Sequence, residues 1–286
     1  MIATLVPPLP EGSGLLALQA TLLSARRGLA IGVTVHHAAC DGSSSTHFLQ
    51  TWAATCSGAE EPPPLPVIDR TLFPDPRRLY DVFFQAAPNS DEMEFVKMSA
   101  DQLFGTFPLS KDDLQRVKDV VADEAARRGV APPRCSSLVA TLGIVWSCYL
   151  RAKESCGSGE GPMTCILFLV DHRSRINPPL PNKYLSNCVG PAIGMAPKGE
   201  LAAAGAGSLF SACAAVASAI DEAVRDIGTS SMDVWMDRIR EASATGILTV
   251  AGSPRFRVYE LDFGFGRPAK VDHGVRGEDR RSGSGR

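Results

Sequence analysis

Residues 33–42 read VTVHHAACDG, two adjacent histidines at the end of an apolar run and an aspartate four residues after the second. Imidazole and carboxylate at that spacing could bind a metal, form a catalytic pair, or divide into one chemical and one structural residue. Adjacent residues of an extended chain point to opposite faces, so His36 and His37 do not readily chelate one ion, and His37 with Asp41 would do so only on a helix. Gly42, the preceding strand and the want of a third ligand stand against that, and no metal is expected. Cys40 near His37 suggests a thiol–imidazole pair, but Ala-Ala-Cys-Asp supplies no evident thiolate stabiliser. The remaining alternative is that both histidines pack at a strand end and Asp41–Gly42 serves as a turn. The short pattern alone does not separate that alternative from a base at His37.

The surrounding elements must present this loop. LLALQATLL (15–23) and LAIGVTVH (29–36) are β-rich and separated by SARRG, which predicts a β-hairpin. Ser43 to Ser45 are N-cap candidates for a following helix that buries Phe48, Leu49 and Trp52. Residues 58–90 are too rich in proline for a regular element and read as an extended connection. MEFVKMSA (93–100) reads as a strand, and PLSKDDLQRVKDVVADEAARRG as an amphipathic helix with a Ser110 to Asp113 capping box and a stop at Gly129. SSLVATLGIVWSCYL is apolar nearly all round, as a buried helix would be, and TCILFLV reads as a buried strand leading into DHRSR. NCVGPAIGM, LFSACAAVASAIDEAVRDIG, SMDVWMDRIREA, GILTVAG and FRVYELDF continue as strand, helix, helix, strand, strand, a mixed α/β pattern without strict βαβ alternation.

At 286 residues and 44% hydrophobic, the chain can bury a large core and is long for one ordinary domain. Its net charge of -2 and lack of a basic stripe interleaved with aromatics give no electrostatic footprint for nucleic acid, so small molecules are the expected partners. The eight cysteines include no CxxC pair and several sit in apolar runs, which suits a reducing compartment. No basic start precedes an apolar stretch, and no segment has the ~18 uninterrupted apolar residues of a membrane span. The expectation is a cytoplasmic protein.

Three separated motifs add to the loop: HHAACDG, DHRSRINPPLPNKYLSNCVGP (171–191) and YELDFGFGRP (259–268). In this order they resemble the plant BAHD acyl-CoA-dependent acyltransferases, with their HxxxD, D-x-R-x-R…PPLP…Y-F-G-N-C and DFGWG motifs, and the flavonoid and phenolic-glucoside malonyltransferase-like branch in particular. Non-ribosomal peptide condensation domains share HHxxxDG, whereas DFGFG and the PPLP segment favour the BAHD resemblance. Phe265 stands where tryptophan is usual, and Leu185–Ser186 where Phe-Gly is frequent.

The resemblance implies a two-domain chloramphenicol-acetyltransferase-like α/β fold. On it, 1–57 are the remainder of an amino-terminal domain, 58–92 a crossover linker, 93–272 the carboxy-terminal domain and 273–286 a disordered tail. The first domain is expected to be incomplete, the chain being shorter than its relatives by about a third. The implied reaction moves an acyl group, malonyl or hydroxycinnamoyl in type, from acyl-CoA as co-substrate to a hydroxyl of a phenolic or flavonoid glycoside. His37 is the implied general base. Asp41 would lock the loop by pairing with Arg173, or else Arg175. Asp262, Gly264 and Gly266 would shape structure, and Arg134, Ser136 and Ser137 at a helix start are a candidate anion site for CoA, or an ordinary cap. No permanently bound cofactor and no nucleic-acid or membrane partner is implied, and the chain is expected to be a monomer. The rival expectation is an inactive shortened family member that at most binds CoA.

Overall fold

The computed structural model describes residues 4–10, 14–23, 28–73, 81, 105–155, 161–225 and 247–272. The chain divides into two compact units, one of Met1–Gly105, Leu180–Asn187 and Pro254–Arg286, the other of Thr106–Pro179 and Cys188–Ser253.

In the first unit, β1 (Leu16–Leu23) and β2 (Gly28–Val35) pair antiparallel with Leu16 opposite Val35 and Leu23 opposite Gly28, the predicted hairpin. Directly opposed residues share a face, so Leu16, Leu18, Ala20 and Leu22 join Val35, Val33, Ile31 and Leu29 on an apolar face, where Leu18 is 45% and Leu22 84% exposed. The opposite face carries Gln19, Gly32 and Thr34 and takes the amino-terminal segment. Gln19 Nε2 donates to the Thr4 carbonyl at 2.9 Å and Thr34 Oγ1 to that of Pro7 at 2.6 Å. A Cβ at Gly32 would lie 1.8 Å from the Leu5 carbonyl oxygen, so only glycine admits the segment there.

Helix α1 (Gly42–Ser57) follows and ends at Gly58, whose φ of 68° closes the helix with bonds to the Ala54 and Thr55 carbonyls. Its buried residues are Ser44, Thr46, His47 and Ala53, while the expected core residues Phe48, Leu49 and Trp52 are only half-buried. The proline-rich segment runs beside it, and His47 Nε2 donates to the Pro64 carbonyl at 2.7 Å.

The second unit is a three-stranded sheet with helices. β3 (Met163–Asp171) is central, antiparallel to β4 (Val189–Pro197) and parallel to β5 (Ile247–Val250). Helix α2 (Lys111–Arg128) has the predicted capping box, with Ser110 and Asp113 bonded reciprocally, and ends at Gly129 in the left-handed region. With α3 (Ser137–Ser155) and α5 (Ala206–Arg225) it covers the sheet, and a short α4 (Lys198–Ala202) follows β4. The core joins Val121 of α2, Val139, Leu142 and Trp146 of α3, Ile166 and Phe168 of β3, Ala192 of β4 and Val216 of α5. Two glycines permit the close packing. A Cβ at Gly143 would sit 2.5 Å from Cys213 Sγ, and one at Gly194 would sit 3.3 Å from the Ala215 carbonyl oxygen.

TCILFLV is the expected buried strand: Thr164, Cys165, Ile166, Phe168 and Val170 are buried, and of its seven residues only Leu169, at 48%, is exposed. Two expectations are corrected. Helix α3 is buried on one side only, leaving the apolar Leu138, Val145 and Tyr149 exposed, because the core lies against the side that carries Val139, Leu142 and Trp146. FRVYELDF forms no strand; Pro254–Phe256 and Val258–Glu260 are 3-10 turns joined by Arg257 at a φ of 50°, which breaks the extended chain. The expected strand at 93–100, the helix in SMDVWMDRIREA and the tail at 273–286 lie outside the described residues.

Candidate active site

The loop between β2 and α1 is built from backbone bonds. The His36 amide donates to the Leu15 carbonyl at 2.9 Å, closing the hairpin end, and the Ala39 amide donates to the His36 carbonyl at 2.9 Å to make a turn. His36 and His37 are both exposed at that turn. His36 Nδ1 accepts from the Ala38 amide at 3.2 Å, which holds the ring against its own loop. The His37 ring makes no hydrogen bond to any described residue and faces outward.

Asp41 begins the helix. Its Oδ1 accepts from the Ser44 amide at 3.0 Å, and the side chain is 3% exposed. Asp41 is therefore the N-cap, in place of Ser43 to Ser45, and Asp41–Gly42 is a helix start rather than a free turn. A carboxylate at that position also suits the positive end of the helix dipole. Gly42 lets the Phe256 ring lie against the helix start, since a Cβ there would come within 2.8 Å of the ring and push it aside.

Leu180–Asn187 lies against this junction. Ser44 Oγ donates to the Ser186 carbonyl at 3.2 Å and accepts from the Ser186 amide at 3.3 Å, and the Asp41 amide donates to the Ser186 carbonyl at 3.3 Å. The far side of the same segment is stitched to the proline-rich connection: the Val67 amide donates to the Lys183 carbonyl and the Leu185 amide to the Val67 carbonyl, each at 2.8 Å. Arg70 donates to the Leu185 carbonyl at 2.7 Å and stacks over Tyr184. Asn187 Nδ2 then donates to the carbonyls of His37 at 2.7 Å and Ala38 at 3.3 Å. Sequence reading missed Asn187, Ser44 and Gly42 as supports of the loop; for Asn187 the available signal was its place in the YLSNC stretch.

DFGFG packs on the other end of α1. Asp262 Oδ1 accepts from the Gly264 amide at 2.8 Å and the Gly266 amide at 3.0 Å, and these two donors hold its carboxyl below the usual range. The glycines have φ of 97° and 105°, which side-chain-bearing residues rarely adopt. Phe263 meets Trp52 of α1 edge-on, ring centres 4.8 Å apart. His37, Asp41, Asp262, Gly264 and Gly266 thus share the first unit.

Arg134, Ser136, Ser137, Arg173 and Arg175 belong to the second unit. Ser136 Oγ accepts from the Val139 amide at 3.3 Å, an N-cap of α3, and Lys118 Nζ donates to Ser137 Oγ at 3.1 Å. Arg134 is exposed beside them. Arg173, 2% exposed, donates its amide to Asp171 Oδ1 at 2.9 Å and a guanidinium N–H to Asp171 Oδ2 at 3.2 Å. Arg175 donates to the Asp171 carbonyl. Between them, burial and the Arg175 cation lower the pKa of His172.

The family model described as "Transferase family" matches residues 3–282. Phenolic glucoside malonyltransferase 2 of Arabidopsis thaliana is 29% identical over 94% of this chain and 61% of its own length. Malonyl-CoA:anthocyanidin 5-O-glucoside-6''-O-malonyltransferase of the same plant is 28% identical over 94% of this chain and 62% of its own. Among solved structures, vinorine synthase superposes with a TM-score of 0.60 at 18% identity, covering 93% of this chain and 60% of that one. F. sporotrichioides TRI101, complexed with coenzyme A and T-2, gives 0.54 at 14% identity, covering 90% and 59%. These likenesses show the CoA-dependent acyltransferase fold. The chain spans about three fifths of the length of the curated relatives it matches.

Proposed function

Because the chain belongs to the transferase family of BAHD acyltransferases, we propose that it moves an acyl group from acyl-CoA to a hydroxyl of a phenolic or flavonoid glycoside, with His37 as general base. The malonyl group is the favoured acyl, since the named relatives are malonyltransferases of phenolic and anthocyanidin glucosides; hydroxycinnamoyl is the second choice. The observation that carries the reading is the exposed imidazole of His37, unengaged among the described residues, on a loop whose backbone is bonded from both sides.

A hydroxyl is a poor nucleophile until its proton is taken during attack. The His37 ring accepts that proton as the acceptor oxygen bonds to the thioester carbonyl carbon, giving a tetrahedral oxyanion. Collapse re-forms the carbonyl, breaks the carbon–sulfur bond, and returns the proton from imidazolium to the departing thiolate. Asp41 supports this through α1, as a cap, rather than by orienting the ring. Arg134, with the start of α3 and Lys118, is the proposed contact for CoA phosphate, where positive charge and a helix N-terminus coincide. A reducing, cytoplasmic setting is proposed, the seven cysteines among the described residues being thiols rather than disulfides. A monomer is the proposed state.

One observation favours a second reading: among the described residues β1 and β2 form a two-stranded sheet whose apolar face stays exposed. On that reading the chain binds CoA without turnover. The test is free-thiol release on incubation with malonyl-, acetyl- and coumaroyl-CoA and a panel of glucosides. The expected result is turnover that falls ~10²- to 10⁴-fold in His37→Ala with an unchanged circular dichroism spectrum. Retention of more than about a tenth of the activity rules out His37 as base, and CoA binding without turnover supports the second reading.

A further inference from the structure

We infer that Asn187 is the positioning residue for His37: its amide ties the loop that carries the imidazole to Leu180–Asn187 and thereby sets where the ring stands. The inference rests on the reading of His37 as the base.

The need for such a group follows from the hairpin's end. β2 stops at Val35, and among the described residues no strand takes the carbonyls that follow. The His36 carbonyl is taken by the Ala39 amide, which leaves the two peptides after it, those of His37 and Ala38. Asn187 Nδ2 reaches both, at 2.7 and 3.3 Å, with the two hydrogens of one amide nitrogen. The peptide that carries the His37 side chain is thus fixed from outside its own hairpin. Asn187 is itself delivered at a set position, because the residue before it is bonded through both backbone groups to Asp41 and Ser44, and Leu185 is bonded to Val67 and Arg70. These bonds place a side-chain donor at the end of a segment held on two sides.

General-base catalysis needs the ring within hydrogen-bond reach of the proton it takes, and a misplacement of about 1 Å can cost ~10²-fold. Asn187→Asp is the decisive substitution. It keeps the shape, removes both donors and turns a carboxylate toward two carbonyl oxygens. A role in packing alone leaves it near wild type, whereas a donor role makes it as poor as Asn187→Ala or poorer. Asn187→Ser, which keeps one donor, serves where either variant folds badly.

The experiment measures kcat and KM for the acyl-CoA together with hydrogen exchange of the peptide covering residues 36–41. The expected result for Asn187→Asp and Asn187→Ala is kcat down ten- to hundredfold, KM within about twofold, and exchange of the Ala39 and Asp41 amides about tenfold faster or more. Wild-type exchange and wild-type kcat in Asn187→Asp would overturn the inference while leaving His37 as base. Should His37→Ala keep its activity, or should no turnover be found, the reading of His37 fails, and the exchange measurement alone still decides whether Asn187 holds the loop.

Discussion

Replacing the glycines of DFGFG one at a time tests whether that motif is structural or chemical. Gly266 has a φ of 105° and a Cβ there would meet nothing within 4 Å; Gly264 has a φ of 97° and its Cβ would come no nearer than 3.5 Å, to Ser57 Cα, with the Cys56 carbonyl oxygen at 3.7 Å, both ordinary contacts. Alanine therefore costs conformational strain and no clash, about 1–3 kcal/mol at each position. At about 2–4 °C per kcal/mol for a unit of this size, the thermal midpoint falls by ~2–12 °C in either variant. Both glycine amides serve the same Asp262 oxygen. The glycine substitutions should therefore cost less in an Asp262→Ala background, where the turn has already lost its acceptor. The depressed carboxyl of Asp262 also sets a sign. Its contribution is present above the ordinary carboxylate value and is lost as pH falls through the lowered one. The assay is thermal unfolding by circular dichroism beside thiol release measured well below the midpoint. A lowered midpoint with kcat within twofold supports the structural reading. A tenfold or larger loss of kcat in Gly266→Ala at an unchanged midpoint would refute it and make the motif part of the reaction.

Gly143→Ala puts a methyl 2.5 Å from Cys213 Sγ and should cost about 1–3 kcal/mol in urea unfolding, partly recovered in the Gly143→Ala/Cys213→Ala double variant; no recovery would mean that the backbone approach, not the sulfur, sets the spacing of α3 and α5. His47 is buried with Nδ1 unpartnered, and burial and then Lys183 lower its pKa. The unfolded chain thus binds the proton more readily. Stability is full above about 6.5 and is lost as pH falls from there through the lowered folded value. His47→Gln should flatten part of that slope, His172 supplying the rest with the same sign, and an unchanged slope would exclude His47. Transfer without an acyl-enzyme predicts unmodified protein by mass spectrometry after mixing with acyl-CoA alone; a stoichiometric adduct on Cys40 or on Ser43 to Ser45 would disprove direct transfer.

Elements whose signals are local are legible in the sequence. The hairpin follows from two apolar runs around a polar turn, and α2 from Ser110, Asp113 and Gly129, each acting on residues three or four positions away. The DFGFG turn was also half-read, since two glycines beside an aspartate announce unusual backbone, although the preceding FRVYELDF looked like a strand. There the tertiary contact overrode the pattern: Phe256 lies against Gly42, its carbonyl accepts from Gln50 at 3.4 Å, and Arg257 turns the chain away from an extended path.

At the site, the sequence by itself determined the chemistry available, an imidazole at His37 with a carboxylate four residues on and no activated nucleophile beside it. Which group performs which task was decided by tertiary structure. Three serines and an aspartate are available to cap α1, and Asp41 is the one with extended backbone whose Oδ1 takes the Ser44 amide, while the Ser44 hydroxyl is engaged by Ser186, 142 residues away. Asn187 reaches the His37 carbonyl across 150 residues of sequence. Periodicity and capping rules act over a few residues, within which bond geometry limits the choices, whereas a hydrogen bond between segments so far apart exists only once both have been packed side by side.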